Sequence, residues 1–129
     1  MRKTLILLLI SFNLQANSGM YSKLIYPKVA ESLSRLETGH FKSKLCSKYN
    51  NLFGMKVGTR KFHVGKTKAG YAIYPNKQAS IADYAAYEKR MIKKHHISSQ
   101  RQYILLISKR YGKDKKYAQK LNKQLKICG

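Results

Sequence analysis

The sequence predicts an α+β domain that is mainly α, with four or five helices and one small β-hairpin inserted after the second helix. Apolar residues recur at helical spacing through most of the chain. Residues 55–75 instead combine alternating apolar positions with a turn-rich centre, as a hairpin does. Hydrophobic residues make up 43% of the 129 residues, enough for a core despite a formal net charge of +22. One domain is expected at this length.

The first 18 residues stand apart from this domain. The stretch MRKTLILLLISFNLQANS begins with two basic residues, continues with an apolar run from Leu5 to Ile10 and ends in small residues before Gly19. This order is typical of a secretory signal peptide, so we expect residues 1–18 to be a signal and residues 19–129 the exported domain. The alternative is an uncleaved anchor. The apolar run is shorter than the roughly 20 residues of a membrane-spanning helix, so a cleaved signal would leave no transmembrane segment.

Two helices are predicted before the hairpin. Pro27 suits the first turn of a helix, and the apolar residues that follow it recur at steps of four and three, namely Val29, Leu33 and Leu36. A second, short helix is predicted over residues 42–49, with Leu45 and Cys46 facing inward. Asn50 and Asn51 tolerate the left-handed conformation found at helix ends and should end it.

The hairpin and three further helices complete the domain. RKFHV and GYAIY are the predicted strands, and GKTKAG is the turn between them. A helix is predicted from Ser80 to about Lys94. The next begins at Ser99, with Gln102 completing a capping box, and is interrupted by Gly112. Asp114 is the predicted cap of the last helix.

The charge of the chain predicts anionic partners. Residues 19–129 hold 25 basic and five acidic side chains, a net charge of +20 over 111 residues. Such a field concentrates polyanions around a protein. Nucleic acid is the usual partner of so basic a chain, but an exported protein meets anionic cell-envelope polymers first, so no specific nucleic-acid partner is expected. The alternative is that the lysines simply solvate the surface.

The sequence leaves the pairing of the two cysteines open. Cys46 and Cys128 pair in an oxidising compartment if their geometry allows it, or remain separate thiols. Neither lies in a CxxC or CxxH spacing, so no metal site and no cofactor are predicted.

Glu37 is the acidic residue with the most unusual position. It lies four residues after Leu33 and eight after Val29, and so continues their apolar stripe. Because burial of an unpaired charge is costly, Glu37 either pairs with a Lys or Arg at the helix end or projects half-desolvated into a cleft. Of the other acids, we expect Glu31 to point elsewhere, Asp83 to cap or ion-pair at a helix start and Glu88 to lie on the surface.

Three ordered blocks of the sequence resemble the glucosaminidase domains of glycoside hydrolase family 73. LETGHFKSKLCSKYNNLFGMK is similar to the catalytic segment of that family, GYAIYPNKQASIADYAAY to its strand-then-helix block, and YGKDKKYAQKL to its terminal block. The resemblance covers roughly residues 25–125. It implies a lysozyme-like helical domain with a small hairpin lobe beside the cleft, and cleavage of the β-1,4 bond after N-acetylglucosamine in peptidoglycan glycan strands.

The resemblance also implies roles for individual residues. Glu37 takes the position of the general acid, Tyr111 that of a tyrosine lining the catalytic centre and Asn51 that of a residue orienting the site. A general acid needs a raised pKa, so apolar walls such as Phe41, Phe53 and nearby tyrosines should exclude water around Glu37. The residues expected to bind substrate are Asn51, Phe53, Gly54, Tyr71 and Tyr74. For Tyr71 and Tyr74, stacking on sugar rings and ordinary cross-strand packing are both open.

The catalytic base of the family has no counterpart in the sequence. Many members carry a Glu or Asp in the hairpin lobe, whereas residues 55–82 contain neither. Cleavage would then rely on the 2-acetamido group of the substrate or on a water held by Tyr and Asn groups. The alternative is a glycan-binding or wall-anchoring module of the same fold that does not catalyse.

Overall fold

The computed structural model describes residues 19–112 and 114–128, and of Cys128 the backbone only. The predicted signal peptide, residues 1–18, lies outside them. Five helices and two short strands lie within these ranges: α1 (Pro27–Glu37), α2 (Lys44–Ser47), β1 (Gly65–Lys66), β2 (Ala72–Ile73), α3 (Lys77–Lys94), α4 (Gln100–Tyr111) and α5 (Tyr117–Cys128). The predicted fold class, mainly α with a small antiparallel sheet in a lysozyme-like domain, is confirmed. No helix in the described part of the chain is both long and apolar enough to cross a bilayer.

The core draws its side chains mainly from α1, α3, α4 and the 51–55 loop and is rich in aromatic rings, while α1 and α4 also pack against α5. Val29 and Leu33, on the predicted stripe of α1, are completely buried. The hydroxyl groups of Tyr84 in α3 and Tyr103 in α4 form a hydrogen bond of 2.6 Å. Pairing satisfies the two hydroxyls, so bulky polar rings can fill the interior without an unsatisfied donor.

The helix starts follow local capping chemistry. Pro27 occupies the first turn of α1, as predicted. The N–H of Ala79 donates to Asn76 Oδ1 at 2.8 Å, so α3 begins at Lys77, three residues before the predicted start. Ser80 instead lies buried in the helix, and its Oγ accepts the N–H of Leu52 at 3.1 Å.

At the start of α4, Ser99 is the cap that the sequence predicted, with its Oγ accepting the N–H of Gln102. The capping box is not completed in the predicted way, because the Gln102 side chain accepts the N–H of Ser98 at 2.8 Å.

The hairpin is present but shorter than predicted. Gly65 pairs with Ile73 and Lys66 with Ala72, and one isolated bridge joins Lys56 to Tyr71. The predicted first strand, RKFHV, is not a strand. The N–H groups of Lys61 and Phe62 donate to the carboxylate of Asp83 instead of to a neighbouring strand. The paired residues of the hairpin therefore lie closer to the turn than predicted.

The predicted positions of Asp83 and Glu88 are wrong. Both lie inside α3 and are 2% and 1% exposed. Asp83 holds the segment before β1, and Glu88 accepts the N–H of Ile25 at 2.7 Å and of Tyr26 at 3.1 Å. Burial raises the pKa of Glu88, and these two backbone hydrogen bonds oppose the rise. Each carboxylate therefore fixes a loop to α3.

Cys46 is a free, buried thiol. The side chain of Cys128 lies outside what the structure describes, so its pairing with Cys46 stays a prediction. Cys46 faces inward from α2, as its position in the predicted short helix suggested. Burial raises the pKa of its thiol, which disfavours the reactive thiolate.

Candidate active site

Glu37 is the last residue of α1, and the chain turns sharply behind it. Buried Thr38 donates through its Oγ1 to the carbonyl of Ser34 at 2.6 Å and accepts the N–H of Phe41 at 2.8 Å. Gly39, His40 and Phe41 have φ of +55°, +57° and +68°. These three consecutive left-handed residues reverse the chain directly after α1. The carboxyl of Glu37 therefore projects from the end of the helix.

One phenol donates to the carboxyl of Glu37. The Tyr117 hydroxyl lies 2.6 Å from Glu37 Oε1, and this hydrogen bond links two residues 80 positions apart in the sequence. On the other side, a Cβ placed on Gly54 would lie 3.6 Å from Glu37 Oε2. Gly54 also has φ of +60°, which glycine adopts without strain. The two ion pairs formed within the described residues, Arg35–Glu31 and Lys120–Asp114, do not include Glu37.

Burial raises the pKa of Glu37, and the hydrogen bond from Tyr117 partly opposes the rise. Desolvation penalises the charged form of a carboxyl, whereas a donor to the carboxylate stabilises it. Because the first effect is the larger, Glu37 retains its proton to a higher pH than an ordinary glutamate. A proton donor at neutral pH requires this property.

Glu37 opens into a pocket of about 630 Å³ between α1, the hairpin and the C-terminal helices. Its lining combines four tyrosines, three cations and two carboxyls, and consists of Glu37, Gly54, Met55, Lys56, Arg60, Tyr71, Tyr87, Arg110, Tyr111, Asp114 and Tyr117. Met55 and the tyrosines supply the apolar walls. Phe41, by contrast, does not line the pocket. Its ring lies against the Arg35 guanidinium, with 5.1 Å between the ring centre and Arg35 Cζ.

Tyr111, at the end of α4, is one of the predicted site residues that the structure brings beside Glu37. Burial raises its pKa well above the usual range, and the neighbouring Tyr87 and Glu37 add to the effect. Burial and the Glu37 carboxyl likewise raise the pKa of Tyr117. Both phenols are therefore neutral at physiological pH, and both side chains line the pocket.

Of the residues predicted to bind substrate, Gly54 and Tyr71 line the pocket and the other three do not. Asn51 is fully buried and uses its amide internally, donating to the carbonyls of Met55 and Ala72 at 2.9 and 3.0 Å and accepting the N–H of Met55 at 3.1 Å. It fixes the 51–55 loop to β2. Its side-chain amide is therefore used within the fold, and the orienting role of Asn51 stays a prediction.

Phe53 and Tyr74 are core residues. Phe53 is completely buried and stacks on Tyr84 with ring centroids 4.0 Å apart. Tyr74 is 2% exposed, and burial together with the neighbouring Asp83 carboxylate raises its pKa. Neither ring offers a face to a sugar, so the expectation of substrate contact is replaced by a packing role.

Asp114 is the second carboxylate of the pocket, which its predicted capping role did not suggest. It lies in the turn before α5, where its Oδ1 accepts the N–H of Lys116 at 2.9 Å and its Oδ2 lies 3.3 Å from Lys120 Nζ. The Lys116 N–H and Lys120 lower its pKa. The two pocket carboxyls therefore differ, because burial raises the pKa of Glu37 whereas hydrogen bonds lower the pKa of the exposed Asp114.

Sequence reasoning missed Tyr117, Tyr87 and the three cations of the pocket. Tyr117 stands in the terminal block YGKDKKYAQKL, but no role was predicted for it. Tyr87 had no signal beyond its place in α3. Within the described ranges, no three His, Cys, Asp or Glu side chains come together in a way that would hold a metal ion.

The fold and the site together define the class of protein. A mainly helical lysozyme-like domain with a small hairpin, and a desolvated glutamic acid at the end of a helix beside an open pocket, is the architecture of a glycosidase domain. The sequence model of the glucosaminidase family, described as mannosyl-glycoprotein endo-beta-N-acetylglucosaminidase, matches residues 15–127. The chain belongs to the glucosaminidase family. Neither the curated proteins nor the solved structures gave a match.

Proposed function

We propose that the protein is a peptidoglycan hydrolase, an endo-β-N-acetylglucosaminidase that cleaves the β-1,4 bond after N-acetylglucosamine. The observation that carries the proposal is the environment of Glu37, whose carboxyl faces an open pocket, has its pKa raised by burial and is oriented by the Tyr117 hydroxyl. In this role Glu37 protonates the glycosidic oxygen as the bond breaks.

The proposal does not use a second carboxylate as base. Asp83 and Glu88 are buried and committed to backbone N–H groups. Asp114 has both oxygens engaged, and its lowered pKa makes it a weak base. Attack at the anomeric carbon therefore comes from the 2-acetamido group of the substrate or from a water held by Tyr111. Tyr111 is the better candidate for holding water because Asn51 has no free polar group.

We also propose where in the cell envelope the protein acts. Residues 1–18 direct export, and the positive charge of the remaining chain, with 25 basic against five acidic side chains, holds the protein on anionic envelope polymers. Such attraction is screened by salt, so retention on cell walls should weaken as ionic strength rises.

The test compares the purified protein with two variants on isolated peptidoglycan. Glu37→Gln keeps the shape of the side chain and an acceptor for Tyr117 but cannot donate the proton. Glu31→Gln is the matched control, because Glu31 lies on the same helix and pairs with Arg35 at 3.1 Å. We expect release of N-acetylglucosamine reducing ends that falls about 10²- to 10⁴-fold in Glu37→Gln and is unchanged in Glu31→Gln.

Two other outcomes would replace the proposal. Binding of glycan strands without release by the wild-type protein would assign a glycan-binding or wall-anchoring module. Salt-sensitive DNA binding without glycan affinity would assign a nucleic-acid partner.

A further inference from the structure

Three cations of the Glu37 pocket have no acidic partner in the described part of the chain. Lys56, Arg60 and Arg110 line the pocket, and both ion pairs found there involve other side chains. Lys56 Nζ lies 5.6 Å from the ring centre of Tyr71, and the Arg60 guanidinium 5.2 Å from that of Tyr87. In both contacts the charged group itself lies over the ring, and no carboxylate pairs with it.

Tyr87 shows that two of these cations converge. Burial raises the pKa of Tyr87, and the positive charges of Arg110, Arg60 and Arg90 oppose the rise. Arg60 comes from the segment before β1 and Arg110 from the end of α4, so the fold brings them together from different elements. The Arg110 guanidinium also contacts the imidazole of His95, at 3.3 Å between Nη2 and Nε2.

The acids of the pocket do not balance this charge. Glu37 retains its proton more readily than an ordinary glutamate, and Asp114 is already paired with Lys120. The pocket is therefore cationic. A bound anion would balance these charges, whereas a neutral glycan would not.

We propose that Lys56, Arg60 and Arg110 form a subsite for a carboxylate carried by the glycan next to the scissile bond. The proposal rests on the proposed function, in which a muramic acid adjoins the N-acetylglucosamine that is cleaved. Its carboxylate has two possible sources, the lactyl group of the sugar and the peptide stem attached to it. Guanidinium groups match either one, because their planar N–H pairs fit a carboxylate in two parallel hydrogen bonds.

The test uses Arg60→Gln and Arg110→Gln, with Arg90→Gln as the matched control. The Arg90 guanidinium also lies over the Tyr87 ring, at 5.8 Å, but Arg90 does not line the pocket. Arg110 is exposed, so its variant should fold even if Arg60→Gln does not. Substrates are glycan strands with intact stems, strands stripped of stems, which carry free lactyl carboxylates, and both types after amidation of their carboxylates.

We expect each pocket variant to raise KM about tenfold to a hundredfold on strands with free carboxylates, the loss of one charge-assisted contact, with kcat little changed. Amidation should produce the same loss in the wild type and remove the difference between wild type and variants. Arg90→Gln should match the wild type. Because the lactyl carboxyl of an intact strand is bound in the amide to its stem, tighter binding of stripped strands assigns the lactyl carboxylate, and tighter binding of intact strands assigns the stem.

Equal KM for amidated and carboxylated strands in the wild type would overturn the subsite, and so would an equal loss in Arg90→Gln. Equilibrium binding to the Glu37→Gln protein, measured on the same strands, separates this result from the enzymatic proposal. Discrimination between carboxylated and amidated strands without any hydrolysis by the wild type would retain the subsite and reject the hydrolase.

Discussion

Replacement of Tyr117 by phenylalanine tests how the protein sets the proton affinity of its candidate acid. The Tyr117 hydroxyl donates to Glu37 Oε1 at 2.6 Å and lowers the pKa of Glu37 against the larger effect of burial. Phenylalanine keeps the ring and removes only the donor. The carboxylate then loses stabilisation while its desolvation remains, so the pKa of Glu37 should rise further.

The size of this effect follows from the strength of one hydrogen bond to an ion. Such bonds contribute about 1.5–3 kcal/mol, and because Glu37 is only half-buried the lower end of the range applies. Since 1.36 kcal/mol corresponds to a tenfold change in proton affinity, the alkaline limb of the activity profile should move by about one pH unit to higher pH.

The assay is kcat/KM for release of reducing ends as a function of pH, whose alkaline limb reports the ionisation of the acid in the free enzyme. Tyr71→Phe is the control, because Tyr71 lines the same pocket while the phenol that bonds Glu37 is Tyr117. Tyr71→Phe should leave the limb in place. A limb that stays fixed in Tyr117→Phe, or moves to lower pH, would refute the assigned role of the hydrogen bond.

Three further predictions concern the acidic residues. Because the pKa of Glu37 is raised in the folded state, its ionisation destabilises the protein as pH rises above the ordinary range of glutamate; Glu37→Gln should therefore have a higher Tm than the wild type at pH 7 and an equal Tm at pH 3, and equal values at both would contradict this. Asp114→Asn should keep more than about a tenth of the hydrolytic rate, since a lost general base costs roughly 10²- to 10⁴-fold, and a loss as large as that of Glu37→Gln would make Asp114 the base. Glu88→Ala leaves the N–H groups of Ile25 and Tyr26 without their acceptor and should lower the free energy of unfolding by about 2–4 kcal/mol in urea titration, whereas a loss below about 0.5 kcal/mol would contradict its structural role.

The parts of the fold that depend on local chemistry could be predicted from the sequence. The apolar spacing of Val29 and Leu33 gave both the buried face of α1 and the position of Glu37 at its end. Ser99 capped its helix as expected, and Asn50 took a positive φ of +55° at the end of α2. In each case the deciding interactions involve residues close in sequence.

The parts that could not be predicted depend on contacts between distant segments. Asp83 and Glu88 look like surface residues in a helix until the backbone N–H groups that they accept are known. These donors lie about 20 and 60 positions away along the chain, and any loop has such groups, so no residue type marks them. The bond between Tyr117 and Glu37 is equally remote. Phe53 resembled a site residue because its neighbours Asn51 and Gly54 do, yet its side chain points into the core.

The claim that Glu37 is the general acid is tested most directly by a change of leaving group. An aryl glycoside of the N-acetylmuramyl–N-acetylglucosamine disaccharide releases an acidic phenol that needs no proton, whereas a glycan strand releases a sugar hydroxyl that does. The account predicts that Glu37→Gln loses about 10²- to 10⁴-fold on strands and retains most of its rate on the aryl glycoside. An equal loss on both substrates, in a variant whose Tm is not lowered, would contradict the role of Glu37 as proton donor.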